Sequence, residues 1–224
     1  MKKFNVGLAL LVVAVFVLFI TPVNAYADTA TLTLETATGP NYGGEDVYPY
    51  NFSVNNSTTY TPLMCLSLNN TINFGESWTA TIETISSFTG PTLTDYEEAA
   101  WLFNDANAAI AAADTTRQED DQWAAWELFA TVTNPPDSGV ATQLSDAQIA
   151  VSNGLPPSFY ENFVVYVPVS GSQPSGDDTP QTFIGDQNFS GGPPPPTPEP
   201  GSLLLLGTGM LGLAAFLYRR RRIA

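Results

Sequence analysis

Strict alternation marks the first half of the chain. From Thr29 the run Thr-Ala-Thr-Leu-Thr-Leu-Glu-Thr sets Leu32 and Leu34 on one side and threonines on the other, the period of two of a half-buried strand. Val47 to Val54, Thr61 to Leu68 and Ser77 to Thr84 read as further strands, rich in Thr, Tyr, Phe and Ile. Gly39–Pro40 and Gly43–Gly44 mark turns. Cys65 falls inside the Thr61 to Leu68 run. Pro62, near its start, predicts an edge position or a strand terminus, because proline has no N–H for a ladder.

At Thr94 the period lengthens. Thr94-Asp-Tyr-Glu97 has the form of a capping box, in which threonine and glutamate side chains satisfy the first free N–H groups of a helix, and an Ala-rich stretch continues to about Ala113. Tyr96, Ala99, Ala100, Phe103 and Ile110 recur at helical spacing and are expected to face the sheet. Thr116-Arg-Gln-Glu119 repeats the box and opens a helix to about Ala130, stopped by Asn134–Pro135–Pro136. Ser145-Asp-Ala-Gln148 starts a third, short helix that ends before Gly154. Phe159 to Val169 then returns to strand texture, with Val164, Val165 and Val167 as core candidates. These elements predict an α+β domain over residues 28–170, an antiparallel β-sheet or sandwich portion with an inserted helical portion. Gln181 to Phe189 is either a last strand or part of a linker; periodicity does not decide it.

The two ends have the texture of targeting devices. Met1–Lys2–Lys3, an apolar run from Val6 to Ile20 and the small residues of Ala25–Tyr26–Ala27 form a signal peptide over residues 1–27, with cleavage expected between Ala27 and Asp28. Residues 171–200 are dense in Gly, Pro, Ser and Asp, the composition of a semi-rigid linker. Residues 201–218 carry no charge and, as a transmembrane helix of about 27 Å, just span a bilayer core. Arg219, Arg220, Arg221 and Arg222 follow at once and are expected to stay cytoplasmic. Pro198–Glu199–Pro200, the Gly/Leu-rich span and the arginine cluster together resemble the PEP-CTERM sorting signal of Gram-negative envelope proteins, over residues 198–224. That resemblance implies an exosortase-type processing protease as partner, an inner-membrane-anchored precursor, and final residence at the cell surface or in the extracellular matrix.

Charge narrows the function classes. The 224 residues have a net charge of −15, no histidine and a single cysteine. Between Asp28 and Pro200 one cation, Arg117, stands against all 22 carboxylates. No polyphosphate-binding surface can be built from one arginine, so nucleic acid is not an expected partner. Zinc fingers, His-based triads, Cys–His hydrolases and internal disulfides go as well. No cofactor or metal is implied: Asp177–Asp178 and Glu119–Asp120–Asp121 lack the Asp-x-Asp-x-Asp-Gly form of a calcium loop. The latter triplet is adequately explained as charge that favours the start of a helix.

Cys65 by itself reads first as a buried, inert core residue. A reactive thiol or half of an intermolecular disulfide is the second option. In Gln122-Trp-Ala-Ala-Trp126, Gln122 and Trp126 lie four apart on one helical face, with Phe129 continuing it, and alanines between allow close approach. Taken together, Cys65 within Met64–Cys65–Leu66 and Gln122 within this Gln-x-Ala-x-Trp pattern resemble the thioester domains of bacterial surface adhesins. The resemblance spans about residues 29–169, with Met64 where that family often has an aromatic residue and Asp121 where it has threonine. It implies an internal thioester between Cys65 and Gln122, shielded from water by Trp123, Trp126 and Tyr96, that captures a nucleophile, with a lysine amine the expected one, on a surface protein or polysaccharide target.

Gln118, one turn earlier, is a distant second as acyl donor, and Gln143 and Gln148 lie outside the motif. No lysine occurs after Lys3, so the exported domain carries no side-chain ammonium to consume its own electrophile. The alternative is a non-reactive module associated with an extracellular matrix or exopolysaccharide, with Cys65 merely buried. Enzymatic turnover is not expected.

Overall fold

The computed structural model describes residues 28–172 and 180–187. The signal peptide with Ala27, the Pro198–Glu199–Pro200 motif, the expected transmembrane helix at 201–218 and Arg219 to Arg222 lie outside the described residues. Asp28, the expected new N-terminus, opens the first strand.

In chain order the described residues form β1 (Asp28–Ala37), β2 (Asn41–Tyr42), β3 (Glu45–Asp46), β4 (Tyr50–Val54), β5 (Tyr60–Cys65) and β6 (Ser77–Thr84). Four helices follow: α1 (Pro91–Ala112), α2 (Thr115–Phe129), α3 (Gly139–Ser152) and the short α4 (Pro157–Tyr160). The strands β7 (Phe163–Pro168) and β8 (Phe183–Asp186) complete the order. The class is α+β as expected. The sheet, however, is neither open nor a sandwich: it closes into an antiparallel barrel in the order β1-β4-β5-β8-β7-β6.

Closure depends on β8, the segment whose periodicity was ambiguous. It bridges β5 through Met64↔Ile184 and Cys65↔Phe183, and β7 through Val165↔Ile184 and Phe163↔Asp186. This strand lies inside the stretch whose composition reads as linker. Pro62 is accommodated because β4 pairs with β5 as far as Leu63, whereas β8 pairs only with Met64 and Cys65. Over Pro62 the strand thus has one neighbour, and the missing N–H leaves no ladder bond unmade.

The barrel is filled from alternate strands. Phe52 on β4, Trp78 on β6 and Phe183 on β8 meet although no two of these strands are hydrogen-bonded neighbours, with the Phe52 and Phe183 ring centroids 4.7 Å apart. Contact between non-adjacent strands is possible only across the interior. On β1 the expected alternation holds: Ala30, Leu32 and Leu34 are buried.

The helices end where expected, at Ala112, Phe129 and Ser152, but start at residues other than those the boxes indicate. Gly90, at φ +64, precedes Pro91, whose fixed φ suits the first helical position, so α1 begins one turn before Thr94. The α2 cap is Asp114, whose side chain accepts from the Arg117 N–H at 3.2 Å; Thr116 is already inside the helix. α3 begins at Gly139, ahead of Ser145. Ala99, Ala100 and Phe103 of α1 are buried as expected, whereas Ile110, near its C-terminal end, is 40% exposed.

Candidate functional site

Cys65 is the last residue of β5 and pairs directly with Phe183. Directly opposed residues of an antiparallel pair share a face, so the Cys65 side chain points to the same side as Phe183, into the end of the barrel. The helical insertion closes that end. Gln122 on α2 is fully buried, and its Nε2 donates to the Cys65 carbonyl oxygen at 2.7 Å across 57 residues of sequence. Its Oε1 is buried without a hydrogen-bond partner. The small residues Ala124 and Ala125, both fully buried, let α2 pack this closely.

The thiol itself is solvent-inaccessible. It donates to Oε1 of Gln181 at 3.2 Å and accepts the Ser67 N–H at 3.3 Å. Burial pushes its pKa up to about 12; the Trp126 indole and the Ser67 N–H pull the other way, and Glu45 adds to the rise. At neutral pH the sulfur is therefore a protonated thiol. Trp126 lies one helical turn beyond Gln122, and its buried indole N–H makes no hydrogen bond of ordinary geometry. It nevertheless lies near enough to the sulfur to favour a thiolate there.

A second layer covers this end. The β2–β3 hairpin turns at Gly43, φ +66, where a Cβ atom would stand 2.7 Å from Trp123 and 2.8 Å from Pro136. The Trp123 indole donates to the Tyr42 carbonyl at 3.2 Å, and the Tyr42 hydroxyl donates to Asp137 at 2.6 Å. Trp123 and Trp126 pack edge to face, centroids 5.1 Å apart. Trp123 thus roofs the site through the hairpin, and Trp126 lines it.

Tyr96 does not belong to this shell. Its ring lies between Phe88 and Phe129, at 4.0 and 5.0 Å. Phe129 is seven residues beyond Gln122, about 10 Å along the helix axis, so Tyr96 covers the C-terminal end of α2, two turns away from Gln122. Gln118 is committed elsewhere, its Nε2 donating to the Tyr48 carbonyl at 2.6 Å. Gln148 is exposed and Gln143 half-buried on α3.

Asp120 and Asp121 are not helix-start charges. They lie beyond the first turn of α2 and are 5% and 0% exposed. Burial and then Asp137 push the Asp120 carboxyl up to about 6. Burial, Asp105 and Asp120 raise Asp121 to about 9 against the pull of Arg117. Arg117, the single cation among the described residues, is engaged by Asp105 of α1 in an ion pair. Among the described residues no group of three or more Cys, Asp or Glu side chains could hold a metal ion.

Gln181 is the residue that sequence reasoning did not single out. Its Nε2 donates to the Asn70 carbonyl while its Oε1 receives the thiol. Two further bonds stitch its segment to the chain after β5: Leu66 N–H to Thr182 at 2.8 Å, and Thr182 N–H to Ser67 at 3.0 Å. Gln181 stands alone after a Gly/Pro/Ser-rich stretch, with no motif around it. Only the pairing of β8 with β5 brings it to the thiol.

No characterised protein and no solved structure matches the chain. One family profile does, the PEP-CTERM protein-sorting motif, over residues 196–222. That is the segment in which Pro198–Glu199–Pro200, the uncharged span and Arg219 to Arg222 stand in order. PEP-CTERM signals are recognised by exosortases. The barrel and its helical insertion therefore belong to an exported protein that is sorted to the cell surface or extracellular matrix.

Proposed function

We propose that this surface protein stores an internal thioester between Cys65 and Gln122 and spends it once, in covalent capture of a nucleophile on a target surface. The reading rests on one observation above all: the buried Gln122 amide donates to the Cys65 carbonyl at 2.7 Å while its own oxygen has no partner. An unpartnered buried acceptor is costly, of the order of 1–3 kcal/mol, and is uncommon in a site with no chemistry. In the condensation the Cys65 sulfur bonds to Cδ of Gln122, the Cδ–Nε2 bond breaks, and the thiol proton leaves with the nitrogen as ammonia. Exclusion of water by the Trp123 roof preserves the product. An incoming primary amine then forms an amide to Gln122 and returns the Cys65 thiol. The reaction is stoichiometric, so the protein is an adhesin-like module with no turnover.

The experiment is labelling by a fluorescent primary amine. The wild-type chain is expected to acquire one label at Gln122, with none on Cys65→Ala or Gln122→Ala. No label on the wild type, or equal labelling of Cys65→Ala, contradicts the reading.

A second reading, non-reactive association with an extracellular polysaccharide, is favoured by a cleft of about 510 Å3 away from the thiol. Asn104, Asn107, Ser158, Phe159, Asn162 and Asp186 are among its lining residues. Amide and carboxylate groups beside an aromatic ring suit a sugar's hydroxyls and its apolar face. Cosedimentation with matrix polysaccharide by the Cys65→Ala protein, with no amine labelling of the wild type, is the result that selects it.

A further inference from the structure

We infer that the indole N–H of Trp126 is the hydrogen-bond donor for the Gln122 oxygen during formation and opening of the cross-link, a role that rests on the thioester reading. Two buried polar atoms near Cys65 lack partners, and they are complementary. Gln122 Oε1 is an acceptor without a donor, and Trp126 Nε1 is a donor without an acceptor. They project from positions four apart on α2, hence from the same helical face. Both residues are essentially sealed from water, Gln122 at 0% and Trp126 at 2% exposure. Water therefore does not serve either atom from bulk. The neighbouring indole offers a contrast: Trp123 Nε1 is already committed to the Tyr42 carbonyl.

The chemistry of the site needs such a donor. When sulfur adds to Cδ of Gln122, the C=O π pair moves onto Oε1, which carries a full negative charge in the tetrahedral intermediate. As the intermediate collapses, the carbonyl re-forms and ammonia departs with the thiol proton. Opening by an amine passes through the same kind of oxyanion and expels the Cys65 sulfur. In a dry site nothing but a fixed donor can hold that charge, and each such donor contributes on the order of 10²–10³ in rate. Before reaction the same N–H opposes the rise that burial imposes on the Cys65 pKa. Trp126 is thus more than a water-excluding ring.

The test compares the full-length wild-type chain with Trp126→Phe, which keeps an aromatic ring but deletes the indole N–H, and with Trp101→Phe, at a half-buried α1 position packed against the core, as a control for lost packing. Intact mass gives thioester occupancy and the rate of opening by methylamine; thermal unfolding reports integrity. The expected result is a wild type short by one ammonia and a Trp101→Phe protein opening at a comparable rate. Trp126→Phe is expected to melt near the wild-type temperature, yet to form or open the bond about a hundredfold more slowly. Equal rates in wild type and Trp126→Phe overturn the donor role alone. A wild type of full mass overturns the cross-link and the donor with it. If Trp126→Phe does not fold, the infrared carbonyl band of wild-type protein carrying 13C-labelled glutamine decides. A thioester band below that of an unbonded alkyl thioester supports the donor, and an unshifted band overturns it.

Discussion

Asp121 sits at 0% exposure with neither carboxyl oxygen in a hydrogen bond of ordinary geometry. Its pKa is pushed up to about 9, by burial first and by Asp105 next. The folded carboxyl thus holds its proton more tightly than the unfolded one, whose value lies near ~4. Its contribution to stability is complete below that unfolded value and is lost as pH rises toward 9. Asp120 adds the same sign over a narrower window, up to about 6. Stability should therefore fall from pH 5 to pH 8, with Asp121 supplying a slope of at most about 1.4 kcal/mol per pH unit. Asp121→Asn, neutral at every pH, is expected to flatten the decline of Tm with pH; an unchanged pH profile would show that the carboxyl is ionised when folded. At this scale the sequence was legible in part. Cys65 and Gln122 stood out by uniqueness and by motif, and they are in direct hydrogen-bonded contact. Asp120 and Asp121 looked like helix-start charges because a Thr-x-x-Glu pattern masked the true cap at Asp114. The place of Gln181 beside the thiol had no local signal, since it depends on a partner 116 residues away.

Among elements, β8 carries the most consequence for its length. Four residues close the barrel, supply Phe183 to the aromatic interior and bring Gln181 to Cys65. Phe183 is fully buried and contacts Tyr50, Phe52 and Trp78. Phe183→Ala should lower stability by about 3–5 kcal/mol and raise the rate at which Cys65 reacts with a thiol reagent in the Gln122→Ala background. A loss below about 1 kcal/mol in denaturant unfolding would mean that the barrel closes without this strand. The longer strands could be read from alternation, and Ser77–Thr84 has the bounds the pattern predicts. β8 could not: four residues hold barely two alternations, and Gly185 interrupts them. That glycine is required by packing, since a Cβ there would stand 2.3 Å from the Leu63 side chain. Barrel closure was equally hidden. Alternation reports which face of a strand is buried, and it does not distinguish two stacked sheets from one sheet closed on itself. Ile110 failed for a related reason: helical spacing continues to the end of α1, but the covering elements do not, and the residue reaches solvent.

For the whole molecule, sorting and chemistry fit one another. The PEP-CTERM protein-sorting motif at residues 196–222 belongs to an exported, surface-directed protein, and a stored electrophile is useful only where it meets foreign nucleophiles. The chain has no lysine after Lys3, so exported copies offer one another no side-chain ammonium. The strongly acidic composition, 22 carboxylates against 7 cations over the full chain, also favours approach by amine-bearing, positively charged surfaces over approach by its own copies. Both features have meaning only if the bond between Cys65 and Gln122 forms. The most direct measurement is the intact mass of freshly purified protein beside its Cys65→Ala variant, before and after methylamine. The account predicts a wild type short by one ammonia, a variant of full calculated mass, and a methylamine adduct on the wild type alone. A wild type of full mass, with a Cys65 thiol that titrates freely once the protein is denatured, would contradict it.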